Sequence, residues 1–558
     1  METPNATATA DAVIVGGGPT GLMLAAELRL GGVDPVVLER LPEISQIPKG
    51  NGLIGQIVPT LDYRGLTDRL RAEATFTGPV PQFPFGSVPL DLSRLSPSPL
   101  HIMAIPQRRL EQVLDDWLRE LGGCVRRGHE MLALYLPEDG SPVTVDVRGP
   151  DGDYQLQTRH VVGCDGAHSL VRKQAGIGFP GVTSSETSRI GRVFLPTVKI
   201  APGGGTAEVP GAGRVRLTLT TQTPRGAYSL APLTSLDKTA RPGMFIVYTR
   251  EDDPASSPAD RNAPMTLDEL RESVRRVLGT DLPMSDPLWL SRTIGNNRVA
   301  GQYQAGRVLL AGDAAHLFGL GGILNVGLLD TINLGWKLAA QVQDLAPPGL
   351  LASYHTERHA AAERTRLNAR AQRALSAAGP DARALRDLMS ELLAYPEPLR
   401  HVGELIEGSA IRYDMGNARS HPLEGRLAPD LRLKTPDGST RIAELMRAGR
   451  PLLVDFTPDG SAARAAESWA GGVPVLKSKP ETEAVPADAL LIRPDGIVAW
   501  ASEDGSAGGL ADALTTWVPR AGEPAAAMPS KPARPGPARA RRSAARFPWP
   551  GRRASRRQ

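Results

Sequence analysis

The chain has 558 residues, 41% hydrophobic and 22% charged, with only two cysteines. That length predicts three or four globular units, and the composition excludes a wholly disordered chain, a disulfide framework and a cysteine-rich zinc site. No apolar run approaches the ~18–20 residues of a membrane helix, and METPNATATADAVIV lacks the features of a signal peptide, so a cytoplasmic protein with no membrane partner is expected.

The first predicted element is a buried strand at Asp11–Val15 (DAVIV), which runs into Gly16-Gly17-Gly18-Pro19-Thr20-Gly21. Leu22–Leu30 has helix-forming residues without Gly or Pro, and after Gly31-Gly32 a second strand, Asp34–Glu39, ends in an acid. Strand, G-x-G-x-x-G, helix, strand, acid is the dinucleotide-binding pattern. Gly16 allows the tight turn, Gly18 lets the backbone approach a pyrophosphate, and Gly21 lets the helix pack on the strand. Free N–H groups at the helix start face the phosphates, and Glu39 is placed for ribose hydroxyls. The motif alone does not separate NAD from FAD, and no second copy of it occurs.

Further along, Thr75–Leu100 is a Pro- and Ser-rich loop, and Ile105-Pro106-Gln107 precedes a helix. His160–Arg172 (HVVGCDGAHSLVR) reads as a buried strand, Asp165-Gly166, then a helix start. Phe179–Leu288 changes texture: strands are predicted at Val193–Ile200, Arg214–Thr221, Ala227–Leu230 and Gly243–Thr249, then an amphipathic helix at Met265–Gly279. Phe85, Phe194, Tyr228, Phe245 and Tyr248 are candidates either for an aromatic pocket or for core packing, with core favoured. In Gly306–Ala340 a strand at Arg307–Ala311 leads to Gly312-Asp313, and Val326–Ala340 reads as a long helix. An acid at the carboxyl end of a strand in an open α/β sheet sits where ligands bind. His316 is read as fixing the local turn rather than as catalytic.

Gly349–Ile406 predicts long helices, and Pro451–Phe456 and Leu491–Trp500 predict a strand and a hairpin. From Pro519 to Gln558 ten Arg and one Lys face one Glu, a net of +10, leaving −6 for residues 1–518 of the overall +4. This Pro/Arg/Ala tail reads as a disordered solvated extension, with no nucleic-acid partner. No G-x-S-x-G or H-E-x-x-H occurs, which leaves hydrolase and metalloenzyme readings without support. The W-x-W-x-I-P run of flavin halogenases is absent too.

Taken together, G-x-G-x-x-G, D-G with S-x-V-R (Asp165, Gly166, Ser169, Val171, Arg172) and G-D-A-A-H (Gly312–His316) resemble the class A flavoprotein monooxygenases of para-hydroxybenzoate hydroxylase type. Within these the chain is most similar to the bacterial aromatic polyketide hydroxylases. Smaller matches are Ile105–Gln107, Trp289–Arg292 (WLSR), and Ser353-Tyr354-His355 with Glu357-Arg358.

The resemblance implies an α/β fold: a Rossmann-type FAD-binding domain, an inserted β-sheet substrate domain and a C-terminal thioredoxin-like domain. The expected limits are 1–178 and 289–406 for the FAD-binding domain, 179–288 for the substrate domain, 407–422 for a linker and 423–518 for the thioredoxin-like domain, with the tail at 519–558. That last domain has no cysteine, so thiol–disulfide exchange is excluded and a structural or oligomerisation role is expected. Gly16, Gly18 and Gly21 would hold the FAD pyrophosphate and Glu39 the adenosine ribose, with Pro19, Thr20 and Arg40 also counted among the cofactor-binding residues. Gln107 would touch the FAD, Asp165 the FAD and NADPH, Asp313 the ribityl chain or phosphate side of FAD, and Leu324 and Asn325 the flavin end. Lys49 stands where relatives usually carry Arg, and Leu317–Asn325 (LFGLGGILN) departs from the usual Pro-containing turn and G-G-Q-G-x-N run.

The implied chemistry uses NADPH or NADH to reduce FAD, and O2 to oxygenate an electron-rich ring. The leading expectation is hydroxylation of a polycyclic aromatic polyketide by a monomer or homodimer. Two alternatives stay open: Baeyer–Villiger insertion or oxidative rearrangement of the same substrate class, and a flavin-binding protein without oxygen transfer. No catalytic acid or base is singled out.

Overall fold

A computed structural model of the chain describes residues 8–519 apart from 48–49, 51, 252–262, 320–322, 418–420, 436–437, 468, 470–472 and 481–484. Lys49 and nearly all of the basic tail therefore lie outside the described residues. The core of the first sheet is five parallel strands in the order Val308–Leu310, Gly152–Gly163, Ala8–Val15, Val36–Glu39 and Val125–Arg127. Ala12–Val15, Val161–Val162 and Val308–Leu310 are buried apolar runs, as expected of strands covered on both faces. Helix Pro19–Leu30 is buried over Leu22–Leu28 because it lies against helix Ile323–Val342. A methyl group on Gly335 would stand 2.3 Å from Glu27 Cβ. Val15 is in register with Leu38 and Gly163, and Gly163 with Leu310, so the strands release their following residues along one edge.

The second sheet is antiparallel and contains Gly226–Pro232, Met244–Glu251, Gly181–Phe194 and Ser285–Val299. Its short edge strand His316–Leu317 pairs with Arg298 and Val299. Val193, Leu230, Phe245 and Val247 pack against Leu270, Val274 and Val277 of helix Leu267–Leu278. The predicted strand Val193–Ile200 is corrected: one long strand ends at Phe194 and only Lys199–Ile200 follows. Pro196 has no N–H to continue a ladder. The C-terminal sheet joins Val475–Lys477, Leu452–Asp455, Ala489–Ile492 and Val498–Ser502, with helices Ser461–Glu467 and Leu510–Trp517. Among the described residues no helix is long and apolar enough to cross a membrane.

His160, 7% exposed on the strand Gly152–Gly163, carries a testable pH signature. Burial, with Arg307 and Arg159 nearby, pushes its imidazole down to about 4. Between pH ~6.5 and that value the unfolded chain takes up a proton that the folded chain refuses, so stability falls as pH falls through this window. His160→Gln is expected to remove up to ~2–3 kcal/mol of that acid sensitivity. The check is the drop in Tm between pH 7 and pH 4.5, and an equal drop in both proteins would refute the assignment.

Candidate active site

The glycine turn sits at the carboxyl edge of the first sheet. Gly16 has φ +108° and donates its N–H to the Leu38 carbonyl at 2.8 Å. A methyl group on Gly21 would stand 1.9 Å from the Gly16 carbonyl oxygen, whereas one on Gly18 would meet nothing within 4 Å. Helix Pro19–Leu30 begins with Gly18 at its N-cap, no side-chain cap and no acid in its first turn. Its first N–H groups are therefore left for a ligand. Glu39, at the end of its strand, accepts from Gly17 N–H and Leu41 N–H, both at 2.8 Å, and so braces the turn, while Arg40 is exposed.

Two further acids occupy the same edge. Asp165 Oδ2 accepts from Leu170 N–H at 2.6 Å and Val171 N–H at 3.1 Å, while its Oδ1 is buried with no partner. Asp313, exposed, lies in the single turn Gly312–Ala314 just beyond the strand Val308–Leu310. Gly312 packs on Thr20, whose Oγ1 would be 2.8 Å from a Cβ there. Arg172 does not reach toward a ligand: its guanidinium donates to the Ala314 and Ala167 carbonyls and covers the Phe179 ring at 3.9 Å.

A second group gathers at the start of helix Ile323–Val342. Asn325 Oδ1 accepts from Ile54 N–H at 3.0 Å, and Leu324 faces Gly50. Gln107 donates its backbone N–H to the Gly50 carbonyl at 3.0 Å and its side-chain amide to Glu111 at 2.8 Å. Gly327, one turn after Leu324, packs on Gly312 and Thr20, so both groups border one space. Residues 320–322, part of the sequence departure, lie outside the described residues.

His316 fixes the local turn, as expected, but does so through Asp330, which sequence reading does not single out. Asp330, fully buried, accepts from Gly312 N–H at 3.1 Å, His316 Nε2 at 2.7 Å and Arg358 Nε at 2.8 Å. Burial by itself would raise the Asp330 carboxyl, but His316 and Arg358 hold it below the usual carboxylate range. Tyr354 donates to the Leu310 carbonyl at 2.7 Å. The visible signals were an acid inside the apolar run VGLLDTINLGWKLAA and the noted S-Y-H-x-E-R segment. Of the aromatic candidates, Tyr228 and Phe245 belong to the core under helix Leu267–Leu278, and Phe85 to a separate core. Phe194 packs with Met244 and Ile246 on the face away from that helix, under the Arg241 guanidinium at 4.5 Å.

Tyr248 lies on the sheet's other face, in register with Ile190 and Ser229, its hydroxyl 3.0 Å from Ser188 Oγ. From the same face Gln222 donates to Ser87 at 2.8 Å and Arg250 to the Ser376 carbonyl at 2.7 Å, so this face looks toward the turn of the hairpin Gln82–Asp91, in the stretch expected to be a loop, and toward the end of helix Ser353–Leu375. Among the described residues no cluster of His, Cys, Asp and Glu could hold a metal.

These residues fit FAD. The open space beside Gly18 admits a pyrophosphate, the uncapped helix start faces it, and the orphaned Asp165 Oδ1 awaits a donor. Comparisons with known proteins agree. A model described as "FAD binding domain" matches residues 9–369, and one described as "Aromatic-ring hydroxylase, C-terminal" matches 421–521. The chain is 39% identical to the 12-dehydrotetracycline 5-monooxygenase/anhydrotetracycline 6-monooxygenase of Streptomyces rimosus subsp. rimosus over 91% of its own length and 98% of that protein. It is 37% identical to a dialkyldecalin synthase of Streptomyces rugosporus, over 90% and 98%. The solved structure of CabE, an aromatic hydroxylase from angucycline biosynthesis, superposes with a TM-score of 0.80 at 36% identity, covering 92% of this chain and 100% of that one. With a glycine turn and three strand-end acids on one sheet edge and this similarity along nine-tenths of its length, the chain belongs to the family of FAD-dependent aromatic-ring monooxygenases.

Proposed function

We propose that the enzyme hydroxylates a polycyclic aromatic polyketide, with NADPH or NADH as electron donor. The observation that carries this reading is the continuity between the Asp313 turn and the second sheet. Its edge strand, His316–Leu317, begins three residues after Asp313, so the chain runs directly from the cofactor turn into the sheet that carries the hydroxyl-bearing face. Bound FAD would take hydride equivalents from the nicotinamide and deliver one oxygen atom of O2 to the ring.

The chain's own residues would do the rest. Gly16, Gly18, Pro19, Thr20 and Gly21 hold the pyrophosphate, Glu39 the ribose, Asp165 and Gln107 the cofactors, and Asp313 the ribityl side. Leu324 and Asn325 present the positive end of their helix to the flavin. Ser188, Ile190, Ser229 and Tyr248, all half-buried, form a ceiling against which a planar ring system rests while the three hydroxyls orient its phenol or quinone oxygens. Covering the ring excludes water from the oxygen-transfer site.

Incubation with an angucyclinone or a tetracycline precursor under 18O2 is the test, and a product heavier by one labelled oxygen is expected. A ring-opened product carrying one labelled oxygen and one oxygen from water would instead favour Baeyer–Villiger insertion, a second reading motivated by the altered Leu317–Asn325 stretch. A further check is Asp313→Ala, expected to weaken FAD binding about 10–100-fold, as loss of a hydrogen bond to a charged group does. A yellow variant with full FAD occupancy would refute the role of Asp313.

A further inference from the structure

The S-Y-H-x-E-R segment lies on helix Ser353–Leu375, which carries none of the residues assigned to the cofactor. We infer that Arg358 of this segment is the positioning residue of the flavin site, acting through Asp330, and that Tyr413 couples it to the C-terminal domain. The inference rests on the reading that Asp313 and Leu324–Asn325 hold FAD.

Three directions leave the Arg358 guanidinium. Nε donates to Asp330 Oδ1 at 2.8 Å, Nη2 to the Val326 carbonyl at 3.1 Å and Nη1 to the Tyr413 hydroxyl at 2.7 Å. Val326 follows Asn325, and the other Asp330 oxygen holds the N–H of Gly312, the residue before Asp313. One buried cation therefore fixes both halves of the site: the turn that carries Asp313 and the helix start that carries Leu324 and Asn325. Tyr413 in turn donates its backbone N–H to the Gly425 carbonyl, and Gly425 donates to Val498 of the C-terminal sheet at 2.9 Å.

The chemistry explains why arginine stands here. Asp330 has no exposure, and Arg358 is 2% exposed. A lone carboxylate in such a place would take up a proton, and a protonated carboxyl has less acceptor capacity for Gly312 N–H and His316. A lysine ammonium restores the charge, yet a compact point charge does not span Asp330, the Val326 carbonyl and Tyr413 with fixed planar geometry. The C-terminal domain, which has no cysteine, thereby gains a part in setting the cofactor site.

The test uses the full chain with Arg358→Lys, Arg358→Met and Tyr413→Phe. Three quantities are measured: Tm of the FAD-free protein, the FAD dissociation constant from quenching of flavin fluorescence, and the visible circular dichroism of bound flavin. Arg358→Lys is expected to weaken FAD binding about tenfold and to alter the dichroism, with the FAD-free Tm near wild type. Tyr413→Phe should move both cofactor readouts in the same direction by a smaller factor, and it keeps the inference testable where Arg358→Met fails to fold. Wild-type affinity and dichroism in Arg358→Lys, or a loss of Tm with unchanged affinity, would overturn it. A wild-type protein that takes up no FAD would instead overturn the cofactor reading and this inference with it.

Discussion

Gly21→Ala and Gly18→Ala are expected to fail in different ways, although the two glycines share one motif. At Gly21 the added methyl would lie 1.9 Å from a backbone oxygen, and a backbone atom cannot swing aside. The helix would have to retreat from its strand, but helix Ile323–Val342 blocks it at Glu27 and Gly335. Overpacking of this kind costs about 1–3 kcal/mol or more, so the FAD-free protein should melt several degrees lower and bind no FAD. Gly18 has φ −76° and ψ −174°, extended backbone that alanine adopts, and open space beside it. Gly18→Ala should therefore keep the wild-type Tm without FAD and lose FAD affinity alone, because its methyl occupies the approach of the pyrophosphate. Equal Tm losses in the two variants would show that the space beside Gly18 is not a ligand site.

Arg493→Met is expected to give the largest loss of stability. Arg493 is 1% exposed and ties the C-terminal sheet to helix Ser353–Leu375 through two bonds to Glu357, at 2.6 and 2.9 Å. It also pairs with Asp495 and lies 4.7 Å from the Trp517 ring. Lys337 Nζ donates to the same Glu357 at 2.8 Å, and Asn333 donates to both carboxylates. Removing the guanidinium leaves two buried carboxylates facing one ammonium. Breaking one partner of a buried pair costs about 3–5 kcal/mol. Urea denaturation followed by Trp fluorescence should show the loss, and a midpoint within error of wild type would mean that the two parts dock without this cluster.

How much of this was legible in sequence depended on range. The glycine turn, Glu39, Asp165 and Asp313 each follow a buried apolar strand directly, so local pattern alone puts them at a sheet edge. The register of Val15 with Leu38 and Gly163, and of Gly163 with Leu310, then brings those edges together. Asp330, Arg358 and Tyr413 meet only in the fold, and nothing local marks a carboxylate in an apolar helix as the anchor of a turn eighteen residues away. The same holds for Glu357 and Arg493, 136 residues apart. Tyr248 and Phe245 look alike in a list of aromatics, and only strand register separates the face that carries Tyr248 from the face under a helix. The apolar run Val193–Ile200 reads as one strand, but Pro196 within it has no N–H to continue the ladder, and the strand ends at Phe194.

The proposed reaction requires a flavin that accepts electrons from a nicotinamide when an aromatic substrate occupies the neighbouring space. Anaerobic mixing of the FAD-loaded protein with NADPH, with and without a polycyclic phenol such as an angucyclinone, tests it most directly. Bleaching of the flavin that accelerates when the phenol is present is the predicted result. A flavin that stays oxidised with NADPH and with NADH, whatever the phenol, would contradict that reaction.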